Sequence, residues 1–282
     1  MRRFIFLCLL AFNLSTFAQI AEGGGAFLNG GKLINSIIIN NYAVNGFGVS
    51  GSSGEVTNCN IRDNYYLNSS IVKAGDLVFD DGSVYTPVYN SSGDLIFPLQ
   101  YGANNVIGVC FWSNANNYFR SGYYWVVSVQ EVSMSWAPGV PDNPIDVTDL
   151  YNFNDPATVI LDFNGYENSK LIVKDVDHSS SLSTSNCAAK YCLNYSQGGA
   201  LVTWFLPAMG QLREMEKELF TLNSLMTKLG KTTLAGQYWS SDEISWTNGA
   251  WTYSFPQSDK ATGENKNKNL KVRPIALVYK TN

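Results

Sequence analysis

Three sequence blocks decide the fold of this chain: WFLPAMGQL at Trp204–Leu212, YWSSDE at Tyr238–Glu243 and VRPI at Val272–Ile275. The first block sets two aromatic residues before Pro207, and proline is favoured in the first turn of a helix, so we expect a helix to begin there. The second block sets a tryptophan before two serines, whose hydroxyl groups often bond the backbone of a turn. In the third block, Arg273 is expected to hold a structural ion pair or a cluster of carbonyl groups. The blocks therefore predict core and turn residues of one domain.

Two helices are predicted before the second block. The later one is amphipathic and ends before Gly230, because its apolar residues recur at alternating steps of three and four. The earlier one ends near Tyr195 and is capped by Thr184 or Ser185. The apolar positions of the later helix are Leu212, Met215, Leu219, Leu222, Met226 and Leu229.

Short runs rich in aromatic and β-branched residues predict strands on both sides of these helices. Trp251, Tyr253 and Phe255 alternate along one of them, which is typical of a core face, although such a row also suits a ligand platform. Between the predicted strands, residues 136–151 contain three prolines and are expected to form a long loop. The sequence therefore predicts an α+β fold with two helices and mostly antiparallel short strands. The predicted strands lie within Gly75–Ser83, Val106–Trp112, Tyr123–Val129, Gln237–Ser240, Ala250–Phe255 and Lys271–Tyr279.

The segment before residue 71 contains a repeat. A shift of 23 residues superposes Gly31 on Gly54, Ile38 on Ile61 and Tyr42 on Tyr65. Short β-prone runs repeated at this period resemble about two coils of a right-handed parallel β-helix, in which like residues stack on like. A Gly/Asn-rich linker with accidental similarity is the alternative. We expect a β-helix-like segment at residues 19–70 and the larger domain at residues 71–282.

The N-terminus has the pattern of an export signal. Arg2 and Arg3 precede an apolar run from Phe4 to Phe12, and a small-x-small motif ends at Ala18. This predicts a signal peptide at residues 1–18 that is cleaved after Ala18, and a protein that is secreted or held at the outer cell surface. No later run is long and apolar enough to suggest a transmembrane segment.

The charge and cysteine content narrow the classes of partner. The formal net charge is −4 with no basic stripe, so nucleic acid is not an expected partner. Four cysteines follow the signal. Their number is compatible with two disulfides, in one of three pairings, and equally with buried free thiols. The single histidine and the absence of a Cys-x-x-Cys motif give no support for zinc. We expect no cofactor and no metal. The four cysteines are Cys59, Cys110, Cys187 and Cys192.

The part of the chain from about Gly75 to Tyr279 resembles the Fibrobacter-type major paralogous domain, also described as the Lcl-like C-terminal domain. The resemblance is carried by Gly75-Asp76 with Asp81-Gly82, by DFNGYENS at Asp162–Ser169, by the helix that holds Cys192, and by the three C-terminal blocks. That family is related to C-type-lectin-like folds, including formylglycine-generating enzymes and variable receptor-binding proteins. The resemblance implies a lectin-like scaffold that presents ligand-binding loops on one face.

The loops implied by the resemblance lie in the segment Asp242–Leu270. Loops held on a rigid scaffold often carry binding residues, and a mixture of Trp, Asn, Ser and Lys suits adaptable recognition of a protein or a glycan. Trp246 is the sharpest candidate, because a tryptophan in a loop stacks on a sugar ring or anchors an interface. A merely solvated loop is the alternative. The candidate ligand-binding residues are Asp242, Glu243, Ser245, Trp246, Asn248, Lys260, Asn265, Lys266 and Asn267.

The leading hypothesis is thus an adhesin-like ligand-binding protein and not an enzyme. The alternative is a structural subunit of an envelope or extracellular assembly, with an envelope or fimbrial partner. An enzyme of the formylglycine-generating type is disfavoured, because no cysteine follows Cys192. Calcium binding at Asp162, Asn164 and Glu167 is a minority hypothesis, since these residue types also form Asx turns.

Overall fold

The fold is described from a computed structural model. The chain divides into two units, Met1–Leu67 and Asn68–Asn282, close to the boundary expected from the sequence. The structure describes residues 26–34, 37–39, 42–43, 49–57, 60–62, 65–66, 72–89, 92–93, 95–97, 106–113, 123–137, 147–178, 186–199, 202–245, 248–256 and 260–279. The expected signal peptide, Cys59 and Trp246 lie outside these ranges.

The first unit contains three pairs of parallel strands. In each pair the strand partners lie 23 residues apart at most positions, as in Gly31 beside Gly54, Ile38 beside Ile61 and Tyr42 beside Tyr65. The residues superposed by the sequence repeat are therefore register partners of neighbouring parallel strands. The pairs are β1 (Ala26–Ile34) with β4 (Val49–Thr57), β2 (Ile37–Ile39) with β5 (Asn60–Arg62), and β3 (Tyr42–Ala43) with β6 (Tyr65–Tyr66).

The second unit is α+β, as predicted, with mostly antiparallel strands in two larger sheets. Sheet I has the strand order β15-β20-β12-β11-β7-β8, and sheet II has the order β13-β19-β16-β17-β18 with β14 added in parallel to β16. The strands are β7 (Leu77–Phe79), β8 (Val84–Tyr85), β9 (Val88–Tyr89), β10 (Leu95–Phe97), β11 (Val106–Ser113), β12 (Tyr123–Ser128), β13 (Val132–Met134), β14 (Asn152–Phe153), β15 (Val202–Phe205), β16 (Gly236–Ile244), β17 (Gly249–Phe255), β18 (Ala261–Asn265), β19 (Leu270–Val272) and β20 (Ile275–Tyr279).

The predicted strands are confirmed, with two corrections to their bounds. The run predicted at Lys271–Tyr279 is two strands, because the chain leaves sheet II after Val272 and enters sheet I at Ile275. Pro274 lies at this crossing, where its missing N–H costs no ladder bond. The strand predicted to end at Ser240 continues to Ile244. Because of this extension, candidate binding residues that were expected in a loop lie within a strand.

The described residues contain more helices than the two predicted. The predicted amphipathic helix is split at Glu218, whose backbone has φ −104 and ψ 12, and the earlier helix starts after Cys187 and not after Thr184 or Ser185. A 14-residue helix at Gly165–His178 was missed, because a polar sequence with glycine, asparagine and serine in its first turns has weak helix propensity. The helices are α1 (Pro156–Val159), α2 (Gly165–His178), α3 (Ala188–Leu193), α4 (Met209–Lys217) and α5 (Leu219–Lys228).

Sheet II has a core on each of its faces. On one face, Trp251, Tyr253 and Phe255 pack with α4, α5 and strands of sheet I, so this aromatic row is core and not a ligand platform. On the other face, Trp239 packs with Trp136 and with α2 and α3. Polar groups of β16 near Trp239 are therefore enclosed on both sides.

Arg273 holds the crossing between the two sheets, as predicted. Its guanidinium donates to the carbonyl oxygens of Ser128 at 3.1 Å and Thr232 at 3.0 Å, and it pairs with Glu131 at 2.7 Å. Burial raises the pKa of Glu131, but the hydrogen bond from Tyr238 and the Arg273 charge outweigh it and hold this pKa below its usual range. The predicted ion pair and carbonyl cluster are both present.

Candidate ligand-binding site

Two connections meet at one end of sheet II. Residues 245–248 join β16 to β17, and residues 266–269 join β18 to β19. The described residues next to β17 and β18 lie side by side, because Gly249 and Asn265 are register partners and the Lys266 N–H donates to the Asn248 carbonyl oxygen at 2.8 Å. We call this pair of connections the terminal loops. The sequence-based prediction placed the site in this part of the chain.

A buried ion pair lies beneath the terminal loops. The ammonium of Lys266 pairs with the carboxylate of Glu243, and their side chains are 4% and 1% exposed. The Val147 N–H lies 3.3 and 3.2 Å from the two carboxylate oxygens of Glu243. Lys266 Nζ also lies 4.8 Å from the ring centroid of Trp136, within the range of a cation–π contact. The pair thus has neighbours that compensate for its removal from water.

Trp136 joins this ion pair to β16. Its indole N–H donates to the Ser240 carbonyl oxygen at 2.7 Å, and the next residue, Ala137, donates its N–H to the Lys266 carbonyl oxygen at 3.3 Å. The ring is fully buried. The sequence analysis placed Trp136 at the start of a loop and gave it no role. Its position before a proline-rich stretch offered little signal for such an anchor.

A large bulge in β16 produces the burial of the second sequence block. Trp239 pairs with Thr252 and Glu243 pairs with Ala250, so three residues of β16 lie opposite Trp251 alone. A bulge re-aims side chains from the regular alternation of a strand. The Ser241 N–H then donates to the Pro207 carbonyl oxygen at 2.8 Å, and the Ser240 hydroxyl donates to the Trp251 carbonyl oxygen at 2.9 Å. The expected bond from a serine hydroxyl to the backbone is confirmed for Ser240. The Ser241 hydroxyl instead accepts from the side-chain amide of Asn168, and only the Ser241 N–H bonds the backbone.

Asp242 is a structural acid inside this bulge. Its Oδ2 accepts from the N–H of Met209, the first residue of α4, at 2.7 Å. Burial, then a hydrogen bond to Asp162 and the charge of Asp162, raise the pKa of Asp242 well above its usual value. Asp242 Oδ1 has no N–H or O–H donor, as expected of an oxygen that carries the proton itself. Burial and the neighbouring Asp162 therefore favour the protonated form of Asp242.

Asp162 carries this network to α2. Its Oδ1 accepts from the N–H of Asn164 at 3.0 Å, and its Oδ2 accepts from the side-chain amide of Asn168 at 2.8 Å. The Asn168 amide also lies 3.2 Å from the Ser241 hydroxyl oxygen. Glu167, the third oxygen ligand of the calcium hypothesis, pairs with Lys170 at 2.8 Å. Among the described residues, no group of three or more His, Cys, Asp and Glu side chains is arranged to hold a metal ion.

Three candidate residues do not have the exposure that their predicted role requires. Asp242, Glu243 and Lys266 were expected on exposed loops, and this expectation is wrong, since each is at most 4% exposed. The physical reason is that β16 runs four residues further than predicted and carries both acids into the core, where Lys266 neutralises Glu243. All three support the terminal loops from below.

The other candidates remain at or near the surface. Ser245, Asn265 and Asn267 are exposed, and Asn248 is half-buried. Lys260 is part-exposed and is held by Glu216, which also accepts from the Tyr253 hydroxyl at 2.6 Å. Trp246 cannot be placed, because it lies outside the described residues. Ser245 and Asn248 thus lie in one terminal loop, Asn267 lies in the other, and Asn265 ends the strand that leads into it.

A polar row on β16–β18 continues this surface and was not predicted. The side-chain amide of Gln237 donates to the hydroxyls of Thr252 at 2.8 Å and Thr262 at 3.1 Å, and it lies 3.4 Å from a Glu264 carboxylate oxygen. Glu264 also pairs with Lys268. The alternation of Thr262 and Glu264 along a short strand was the available signal. The row extends the polar face away from the terminal loops.

Comparison of the chain with protein-family models, with curated proteins and with solved structures finds no match. Within the ranges that the structure describes, no helix has the length and apolar character needed to cross a membrane. The function must therefore be argued from the site itself.

Replacement of Lys266 by Met tests the ion pair as the support of the terminal loops. We expect Lys266→Met to lower the free energy of unfolding by about 3–5 kcal/mol, because it leaves the buried Glu243 carboxylate without its partner. The matched control is Lys268→Met, which removes the exposed pair with Glu264 and should cost less than about 1 kcal/mol. Urea unfolding measures both, and equal losses would contradict the assignment.

Replacement of Asp242 by Asn tests the protonated acid. Because its folded-state pKa is raised, the stability that Asp242 contributes is fully present below its unfolded-state pKa and is lost as pH rises toward the folded-state value. The carboxamide of the Asp242→Asn variant stays neutral, and it keeps an oxygen for the Met209 N–H and an N–H for Asp162. The stability of the variant relative to wild type should therefore increase from about pH 5 to about pH 8.

The control for this measurement is Asp149→Asn, which removes an exposed carboxylate and keeps a residue type that tolerates the positive φ of this position. Thermal unfolding at each pH gives the comparison. A difference between Asp242→Asn and wild type that stays constant with pH would show that Asp242 is ionised in the folded protein.

Proposed function

We propose that this protein is an exported, adhesin-like binding protein that recognises a protein or glycan ligand through the terminal loops and is secreted or displayed at the outer cell surface. The second unit would be a C-type-lectin-like domain of the Fibrobacter-type major paralogous family, and the first a short parallel β-helix-like segment. The observation that carries the proposal is the separation of roles at the end of sheet II. The buried pair of Glu243 and Lys266 supports the loops, and the side chains exposed above it are mostly uncharged hydrogen-bonding groups.

The chemistry of the exposed side chains supports this class of ligand. Ser245, Asn265 and Asn267 each offer a hydrogen-bond donor and an acceptor without a net charge. Such groups match hydroxyl and amide groups, which dominate glycans and peptide backbones. Because the backbone beneath is anchored by Glu243 and Lys266, little conformational entropy is lost when a ligand is bound. A preorganised polar face whose exposed Lys268 is paired with Glu264 favours recognition by hydrogen bonds over charge-driven attachment.

The described cysteines support a binding role over an enzymatic one. Cys110, Cys187 and Cys192 are buried, and Cys110 and Cys192 are free thiols. Burial raises the pKa of the Cys110 thiol and that of the Cys192 thiol well above their usual value, so both remain protonated. A protonated, enclosed thiol is a poor nucleophile. Cys187 instead accepts a hydrogen bond from the Lys190 N–H as the cap of α3.

A double substitution on the terminal loops tests the proposed site. Ser245→Ala/Asn267→Ala removes one exposed hydroxyl and one exposed amide, and we expect it to weaken ligand binding about tenfold or more. Ligands would be found on an array of glycans and in a pull-down of envelope and host proteins, and affinities measured by biolayer interferometry.

The matched control is Ser196→Ala/Asn194→Ala, which removes the same two groups from an exposed turn after α3. Both double variants should unfold within about 0.5 kcal/mol of wild type, as is usual for surface positions. Equal affinity of the two variants for every ligand found would place the binding site elsewhere.

Replacement of Trp246 by Ala tests the strongest candidate of the sequence analysis. We expect Trp246→Ala to abolish binding and to leave the thermal midpoint unchanged, because an indole that serves a ligand contributes little to the core. Differential scanning calorimetry and the same binding assay give both values. A loss of stability equal to that of a core truncation would assign Trp246 to the core.

A further inference from the structure

In the described part of the first unit, the same parallel pairing relates the two strands of each of three strand pairs. Residues 26–43, which we call repeat 1, and residues 49–66, which we call repeat 2, pair strand by strand in parallel with partners 23 residues apart at most positions. The spacing departs from 23 residues only at a local irregularity between Leu28 and Gly31. Because repeat 2 stacks on one side of repeat 1, the stack has a direction. It gives the unit two different ends, an outer edge of repeat 1 and an outer edge of repeat 2.

Among the described residues, both outer edges have backbone groups without a strand partner. Each of the six strands described between residues 26 and 66 has one partner strand. A strand with one partner has a row of N–H and C=O groups on its other side, and such a row pairs readily with another chain. The edge of repeat 2 has the same strand order and direction as repeat 1. It is therefore suited to a strand set like that of repeat 1.

We propose that two copies of this chain associate head to tail, with repeat 1 of one copy in parallel pairing on repeat 2 of the other. The segment with the required strand lengths, direction and spacing is repeat 1 itself. Repetition of the internal pairing would place Ile38 of the second copy beside Ile61 of the first, and Tyr42 beside Tyr65, which are the pairings found within one chain. The proposal does not depend on ligand binding by the second unit.

Charge complementarity supports a second copy of the chain as the partner of the outer edge of repeat 2. Lys32 and Glu55 are register partners in the β1–β4 pair. Head-to-tail stacking would set Lys32 of the second copy at the position next to Glu55 of the first, so that positive and negative residues alternate along the stack. Opposite charges at paired strand positions are favourable, whereas like charges directly opposite are unfavourable. Pairing of repeat 2 with repeat 2 around a two-fold axis would lack this alternation.

The association would be open-ended. A head-to-tail contact uses two different surfaces, so each added copy leaves one edge of each kind free. Unless the rotation between copies closes a ring, the product is a row of copies.

Chemical cross-linking of isotope-mixed protein tests the contact without any substitution. Equal amounts of the full chain with natural nitrogen and with ¹⁵N are mixed and treated with a carbodiimide, which joins an amine to a carboxylate in contact. We expect Lys32–Glu55 cross-linked peptides that carry one light and one heavy partner, with a fraction that rises with protein concentration. Only light–light and heavy–heavy peptides at every concentration would overturn the proposal.

Charge reversal gives a second, independent test. Lys32→Glu should weaken self-association of the full chain about threefold to tenfold in sedimentation velocity, and Lys32→Glu/Glu55→Lys should restore it, because the exchange keeps opposite charges at every pairing. The matched control is Lys174→Glu, which makes the same change of charge at an exposed position on α2. Self-association that Lys32→Glu and Lys174→Glu change equally, or a wild-type chain that stays monomeric, would contradict the head-to-tail contact.

Discussion

Four consecutive polar residues, Ser240 to Glu243, pass through the interior of the second unit, and the surrounding structure is arranged to satisfy them. A buried polar group without a partner costs several times what a typical hydrogen bond contributes, and a buried unpaired charge costs more. The bulge in β16 directs these residues to different partners. Asp242 meets the first N–H of α4, Ser241 meets Pro207, and Glu243 meets Lys266. One short segment therefore sets the positions of a helix, a strand end and both terminal loops.

Much of this scaffold could be predicted from local sequence. Strands such as Val106–Ser113 and Gly249–Phe255 are continuous apolar or alternating aromatic runs, and Arg273 was expected to hold a structural ion pair or a cluster of carbonyl groups, both of which are present. The 23-residue repeat predicted even the strand register of the first unit, because parallel stacking pairs each residue with its own repeat. These features depend on neighbours in sequence or on a fixed period.

For the candidate site, the sequence predicted the location but not the burial of its charged residues. Whether Glu243 is exposed depends on Lys266 and on the Val147 N–H, which lies 96 residues away along the chain. Charged residues near a polar loop are normally solvated, so composition favoured exposure. The bulge also interrupts the alternation of inward-facing and outward-facing side chains, which is the sequence pattern that predicts burial along a strand. Helix α2 was missed for a related reason, since Ser169 and Asn168 are stabilised there by Leu206 and Asp162 and not by helix propensity.

The same arrangement separates the residues that determine the fold from those available for recognition. Asp242, Glu243 and Lys266 have partners on several elements, so substitutions at these positions disturb the loops as well as the core. Ser245, Asn265 and Asn267 are exposed a few residues away on the same strands and turns. Substitutions at exposed positions change stability little, whereas their effect on a ligand would be direct. A binding face of the proposed kind would be free to change its specificity while the buried charges keep its backbone in place.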